Sequence, residues 1–500
     1  MLKTLVLKQK QAGIILITLG GFLFAFIFLF LYFNVIRVPG FPEFLPVKET
    51  IGFVEFPAAL DENLARKISE TLGVDWNRDI APWASEKAAL ALLKNYGAEP
   101  EQISPFFFIQ TRSATQAFSF LKNFKNPQKE IREVKFSGVT AFLTPQLSFA
   151  FLSDVLVIAP TAKSLAELLA YQSSSTQHLS SDSDFIQIHA NVSGPFFAYF
   201  KPKEMPAQIF SAISSNIPYM PISTKSFPAI GIAAEKMDAV WRGMSYALLE
   251  KNLPPETPQA YRAKFLTVLP SKIDFMLSGQ NLFGQIKKID EILGAHASFP
   301  KLSMMIQRLI NEYLPDVDAE KNLTPLFEKE FAFAMDSDRF LLLAEEPDQN
   351  AQEKIESLRK TFQKTNGRLT PKTRDVLLPD GTKAKEFVAD PSKVKTFEEM
   401  FGGVTVRGFL LGKNGAVYDA FSNGTWFISN DFEMIKKALQ SAKEPNNSFR
   451  ESPLYKETLQ PILKNPELLG LAVLPHGTFG FSKRTMPDHM ETNFMWIQKN

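Results

Sequence analysis

VDWNRDIAPWASEKAALA at residues 74–91 and VDAEKNLTPLFEKEFAFA at residues 317–334 align without a gap, with the Val, Asp, Pro and two Ala positions identical. They are the clearest pair in a series of short blocks that recur in the same order, and such self-similarity bears on the architecture before any single element does. Upstream, Leu45-Pro46-x-Lys48 leads into IGFVEF and Leu269-Pro270-x-Lys272 into IDFML. An amphipathic helix follows each: Leu64, Ile68 and Leu72 ending at Gly73, and Ile286, Ile289 and Leu293 ending at Gly294, where a left-handed C-cap favours glycine.

Downstream, Phe118 and Leu121 match Ile355 and Leu358, and Arg132-Glu133-Val134 matches Arg374-Asp375-Val376 at the start of a hairpin. The matched turns are Ser137-Gly138 and Pro379-Asp380-Gly381. AFLSDVLVIAPTAKSLAELL from Ala150 matches AFSNGTWFISNDFEMIKKAL from Ala420, with Thr161 and Asp431 both where a helix N-cap is wanted. Gly231-Ile232 and Met237 match Gly480-Phe481 and Met486.

Short apolar strands in hairpins alternating with amphipathic helices predict an α+β class, with antiparallel sheet and helices on one face. The expected order is an N-terminal transmembrane helix followed by two tandem repeats of antiparallel sheet packed with helices. The expected boundaries are a cytoplasmic tail at 1–11, a span at 12–33, a juxtamembrane linker at 34–44, repeat 1 at 45–250, a Pro-rich linker at 251–268 and repeat 2 at 269–500. Pro254, Pro255 and Pro258 mark that linker, and the stretch from Pro202 to Pro228 reads as a surface loop inserted in repeat 1.

The span rests on AGIILITLGGFLFAFIFLFLYF, residues 12–33, which carries no charge. As a helix it would be about 33 Å long, enough for a bilayer core. It has no polar stripe, and no small-x-small cleavage pattern follows it, so an uncleaved anchor is expected. Lys3, Lys8 and Lys10 precede it without an acidic residue, which predicts a cytoplasmic N-terminus and an extracytoplasmic remainder in a cell membrane.

Bulk composition narrows the function classes. Lys and Arg number 55 against 53 Asp and Glu, a formal net charge of +2. That is no electrostatic footprint for nucleic acid. Cysteine is absent, which removes disulfides, thiolate nucleophiles and Cys-ligated metal. The five histidines, His178, His189, His296, His476 and His489, show no metal-ligand spacing.

Candidate motifs fail for particular reasons. Gly243-Met244-Ser245-Tyr246-Ala247 approaches a nucleophile elbow but sits inside a predicted strand. Ser119-x-x-Lys122 and Ser357-x-x-Lys360 lie on amphipathic helices whose polar faces explain them. Residues 279–284, from Gly279 to Gly284, have phosphate-loop spacing, yet Gln285 and Ile286 stand where Lys and Ser or Thr are required. Asp182-x-Asp184, Asp316-x-Asp318 and Asp336-x-Asp338 lack the glycine and distal glutamate of a calcium loop. No catalytic, cofactor-binding or metal residue is assigned, and no cofactor is expected. Phenylalanine is heavily used, 46 in all, which fits either plain packing or an apolar groove.

The Leu-Pro-led first strand, the Asp79-Ile80-Ala81-Pro82-Trp83 segment before an apolar strand, the anchor and the duplication together resemble an uncharacterised family of bacterial single-pass membrane-anchored proteins, known only as a domain of unknown function. That resemblance implies a bacterial envelope setting and transfers no functional residue. The functional expectation is a non-enzymatic interaction or assembly platform, with an unidentified envelope protein as partner and the membrane engaged through the N-terminal helix. The alternative is a binder or carrier of lipid or another apolar ligand. A hydrolase of envelope material ranks third.

Overall fold

The computed structural model describes residues 40–499, apart from 60–64, 67–68, 71–74, 95, 97–102, 124–130, 146, 175–176, 206–226, 251–260, 294–302, 305–306, 308–316, 318, 347–349, 368–370, 389, 391, 393 and 412–414. In the first half the strands are β1 (Thr50–Pro57), β2 (Ala84–Lys94), β3 (Ile103–Thr111), β4 (Arg132–Phe136), β5 (Val139–Leu143), β6 (Ser148–Leu152), β7 (Val155–Ala159), β8 (Phe196–Phe200), β9 (Ile230–Met237) and β10 (Val240–Leu248). In the second half they are β11 (Phe275–Gln280), β12 (Glu330–Asp336), β13 (Arg339–Glu345), β14 (Lys372–Leu377), β15 (Lys383–Val388), β16 (Thr396–Phe401), β17 (Val404–Leu411), β18 (Gly415–Ser422), β19 (Thr425–Ser429), β20 (Leu468–Leu474), β21 (Gly477–Thr485) and β22 (His489–Gln498). The helices are α1 (Ala114–Asn123), α2 (Ala162–Ser174), α3 (Ser183–Asn191), α4 (Leu282–Leu293), α5 (Ala351–Gly367), α6 (Phe432–Lys443) and α7 (Pro453–Thr458).

Pairing is antiparallel throughout. The first half runs β4-β5-β6-β7-β3-β2-β1-β8-β9-β10. The second runs β16-β17-β18-β19-β13-β12-β11-β20-β21-β22, the same order element for element. A π-helical turn stands before β2 at Trp76–Ile80 and before β12 at Ala319–Leu323. The equivalent terminal strands then pair with each other: β10 lies antiparallel to β22 from Val240 opposite Ile497 to Leu248 opposite His489, with Met244 facing Asn493 at the centre. This is the self-complementary joint that a two-fold homodimer makes, built here within one chain.

The α+β expectation is thereby corrected. Strand dominates, and the two halves do not carry separate sheets: they share one antiparallel sheet of 20 strands. Helices pack on both of its faces, not one. On the front face α1 places Ala117 and Leu121 against Phe107, Phe142 and Phe149, beside Trp76 and Trp83. On the back face α2 and α3 place Leu165, Leu168 and Ile188 against Phe53, Phe197 and Tyr199. In the second half α5 covers Trp426 and Phe331 in front, while α6 and α7 cover Phe427, Leu471 and Met495 behind. Each face gains from this, because a buried Phe or Leu contributes about 1.5–3 kcal/mol.

The expected transmembrane helix at 12–33 lies outside the described residues, and no helix among the described residues is long and apolar enough to cross a membrane. The Pro-rich linker prolines and the glycines Gly73 and Gly294 also lie outside them.

A second correction concerns the hairpin match. The counterpart of β4–β5 is β16–β17, whose turn Gly402-Gly403 has the same left-handed backbone as Ser137-Gly138. β14–β15, which carries Arg374-Asp375-Val376, is a separate two-stranded sheet with no counterpart among the described residues of the first half. Its side chains stand in solvent, including Phe387 at 74% exposure and Leu377 at 67%.

The matched Gly231 and Gly480 acquire a physical reason. A Cβ on Gly231 would lie 2.1 Å from Ile188 Cγ2 of α3, and one on Gly480 would lie 2.6 Å from Thr458 Cγ2 of α7. Both glycines let a back-face helix approach the same strand of each half. The caps correspond too: Thr161 Oγ1 accepts the Ser164 N–H at 3.1 Å at the start of α2, and Asp431 Oδ1 accepts the Met434 N–H at 2.8 Å at the start of α6.

Candidate functional site

Strand registers place a grid of side chains on the front face of the joint, since residues directly opposite in an antiparallel pair share a face and alternate residues along a strand do too. One row reads Lys236, Trp241, Trp496, Phe479; the next reads Ala234, Gly243, Phe494, Phe481. The third is Ile232, Ser245, Thr492, Lys483, and the fourth Ile230, Ala247, Met490, Thr485.

The first two rows form an aromatic floor. Trp241, Trp496, Phe494, Phe479 and Phe481 are all half-buried. Phe196 of β8 joins Trp241 at 5.3 Å between rings, and Lys236 Nζ lies 5.6 Å from the centre of the Trp241 ring. Phe494 lies flat over Gly243, where a Cβ would sit 2.4 Å from its ring, and Phe481 covers Gly470 in the same way at 2.0 Å. The glycines let the rings lie along the sheet and widen the apolar surface. Behind these four strands lie α3 and α7, while in front Leu282 and Phe283 of α4 pack in the same cluster as Phe481.

At the other end of the floor the chemistry changes. Lys483 is only 8% exposed. Burial pushes its ammonium below the usual lysine range, with Glu467 opposing that shift and Lys288 adding to it. It has no hydrogen bond or ion pair among the described residues. Glu467 is held next to it, its N–H donating to the Lys483 carbonyl at 2.8 Å. Glu467 Oε2, Gln285 Oε1 and Thr485 Oγ1 are enclosed without hydrogen-bond partners. Gln285 stands one turn before Lys288 on α4, so the two share a helix face, and Thr485 follows Lys483 on the same face of β21.

A second polar cluster, under α5, is fully satisfied. Arg359 is joined to Asp419 through Nε at 3.0 Å and through Nη2, and its Nη1 donates to Glu356 at 2.9 Å. Arg407 bridges Glu356 at 3.2 Å and Glu398 at 2.8 Å, and the Trp426 indole donates to Asp419 at 3.1 Å. The Arg359 hydrogen bond holds Glu356 below the usual carboxylate range. The cavity beside this cluster, lined by Leu326, Ile355, Phe421 and Trp426 among others, has about 10 Å³ of room, about enough for one water. Its donors and acceptors are committed to one another, which is a structural role.

Ser245 lies inside β10, in the third row of the grid. Ser357 and Lys360 are both exposed on α5, and Ser119 is on α1. Gly279 is the penultimate residue of β11 while Gly284 is in α4, its N–H donating to Asn281 Oδ1 at 2.9 Å. Asp182 caps α3 and also meets Lys201 at 3.2 Å; Asp336 pairs with Arg339; Asp316 and Asp318 lie outside the described residues. His489 hydrogen-bonds Asp488 at 2.7 Å and stacks on Tyr246, and His189 stacks on Phe185. Trp83 is buried, its indole donating to the Asp79 carbonyl at 2.6 Å, so the Pro-Trp corner is packing.

Sequence reading missed Lys483. The signal was present in Phe479-x-Phe481-x-Lys483-x-Thr485, whose period of two puts a lysine on the aromatic face.

No curated protein matches the chain. Among solved structures it is similar to TP0453 in crystal form I, at 12% identity over 44% of this chain and 82% of that one, with a TM-score of 0.32. Crystal form IV of TP0453 aligns at 10% identity over 41% and 80%, TM-score 0.29, and crystal form III at 11% over 47% and 90%, TM-score 0.29. A family model matches residues 60–376, from the first half into β14 of the second. By that match, over more than half of its length, the chain belongs to the family described as protein of unknown function (DUF3352).

Proposed function

We propose that the protein is a non-catalytic binder of an apolar ligand, which it takes up on the front face of the joint between β10 and β22. The aromatic floor of Trp241, Trp496, Phe494, Phe479 and Phe481 carries this reading. Ligand sites are mostly apolar and aromatic surfaces with a few placed polar groups, and this surface lies where two equivalent halves meet. The carrier reading, second on sequence, moves ahead for that reason. The interaction-platform reading is left with the duplication and the exposed β14–β15 hairpin, neither of which specifies a partner.

Titration of the full chain with brominated dodecyl maltoside, followed by tryptophan fluorescence, tests the reading. Saturable quenching is expected. The double variant Trp241→Phe, Trp496→Phe keeps the floor aromatic and removes the reporters, so its quenching should vanish while Trp76, Trp83 and Trp426 still fluoresce. Absent quenching in the wild type, or quenching that persists in the variant, overturns it.

A further inference from the structure

We infer that the Lys483 end of the aromatic floor receives the head of a single-chain acidic amphiphile whose acidic group has a hydroxyl beside it. This rests on the reading of the floor as a ligand surface and adds the class of ligand.

Three observations meet there. Lys483 is 8% exposed and, among the described residues, its ammonium has neither hydrogen bond nor ion pair. Taking a charge out of water without a partner is costly, so such a lysine persists only where something compensates it. Glu467 Oε2 beside it, Thr485 Oγ1 two residues along β21 and Gln285 Oε1, one turn before Lys288 on α4, are enclosed and unpartnered, when buried polar atoms are nearly always paired. The four groups also adjoin the floor: Lys483 shares its face of β21 with Phe481 and Phe479, which extend the apolar surface for about 13 Å along the strand.

The inventory of donors and acceptors selects the head. Lys483 and the Thr485 hydroxyl donate, which suits an anionic oxygen. Gln285 Oε1 and Glu467 Oε2 accept, which suits a hydroxyl and disfavours a second anion. The apolar tail then lies over Phe481, Phe494 and Phe479 toward Trp496. The pseudo-two-fold counterpart of Lys483 is Ala234, opposite Gly243, so the Lys483 site is not duplicated in the first half.

The test uses the full chain and three lauroyl probes below their micelle concentrations: lysophosphatidylglycerol, with acid and hydroxyls; laurate, with acid alone; and monolaurin, with hydroxyls alone. Lauroyl lysophosphatidylglycerol should bind about ten-fold or more tightly than monolaurin, with laurate between. Lys483→Met should remove that preference and keep monolaurin binding, and Thr485→Val, an isosteric change, should reduce it. Equal binding of all three probes, or a preference that survives Lys483→Met, overturns the head-group site and leaves the apolar floor standing. Failure of every probe to bind overturns both.

Discussion

The same row of the front sheet carries opposite chemistry in the two halves. Across β3, β7, β6, β5 and β4 the successive partners are Phe107, Ile158, Phe149, Phe142 and Glu133. Across β13, β19, β18, β17 and β16 they are Leu342, Ile428, Asp419, Arg407 and Glu398. The outer glutamate is kept, while two phenylalanines become an acid and a base. Phe118 of α1 meets Phe142 at 5.1 Å between rings; in the second half α5 instead brings Arg359 to Asp419. One backbone thus tolerates a core held by apolar area and one held by matched charges. They fail differently, because an apolar contact is non-directional and a buried ion pair is lost as soon as one partner goes.

The largest expected effect follows from that contrast. Asp419→Ala strands Arg359 and the Trp426 indole, and should cost about 3–5 kcal/mol in urea unfolding. Converting the cluster to its counterpart, with Asp419→Phe, Arg407→Phe and Arg359→Leu together, should be neutral or stabilising. A cost below about 1 kcal/mol for Asp419→Ala would mean the cluster behaves as a surface network, and the contrast would dissolve.

Next come the two back-face glycines. Gly231→Ala and Gly480→Ala should each destabilise by about 1–3 kcal/mol through overpacking. Shortening the facing side chain, with Ile188→Ala against the first, should recover part of it. If only one substitution is felt, the two helix seats are not equivalent.

Lys483→Met should go the other way, raising stability at neutral pH, since it removes a desolvated charge. A lysine whose folded pKa lies below its unfolded one holds fewer protons when folded, so wild-type stability recovers as pH rises from the folded pKa to the ordinary lysine value. The advantage of Lys483→Met should therefore shrink toward pH ~10. An advantage that stays constant with pH would assign it to packing alone. Smallest are the caps: Thr161→Ala and Asp431→Ala should each cost about 1 kcal/mol by thermal melts, with similar values in the two halves.

Much of this layout was legible in the chain. The blocks at 74–91 and 317–334 repeat because each makes a π-helical turn and then a strand packed on both faces, which restricts many residues at once. Thr161 and Asp431 were readable because a cap is a local demand. The hairpin was misread because alternating polar and apolar residues before a turn suit any exposed hairpin, and Arg374-Asp375-Val376 meets that demand as well as Arg132-Glu133-Val134. The true counterpart shares turn geometry, which Gly402-Gly403 and Ser137-Gly138 encode in different letters.

The single sheet was not readable, because nothing local in Val240–Leu248 indicates that its outer edge pairs with His489–Gln498. Helix periodicity likewise reports an apolar stripe without saying which side of the sheet it covers. At the site, the alternation around Lys483 was visible, but its meaning depends on Gln285 and Glu467, which the fold brings up from other elements.

The pairing of Met244 with Asn493 also sets a clock. A ribosome adding 5–20 residues per second needs roughly 12–50 s to pass from one to the other. For that interval the first half has every other strand it needs, while β10 waits as an open edge, the kind that pairs with whatever strand arrives first. Its own sequence offers that edge little protection beyond Arg242. The joint that makes the chain one sheet therefore cannot be zipped until β22 has been made, long after its partner strand β10.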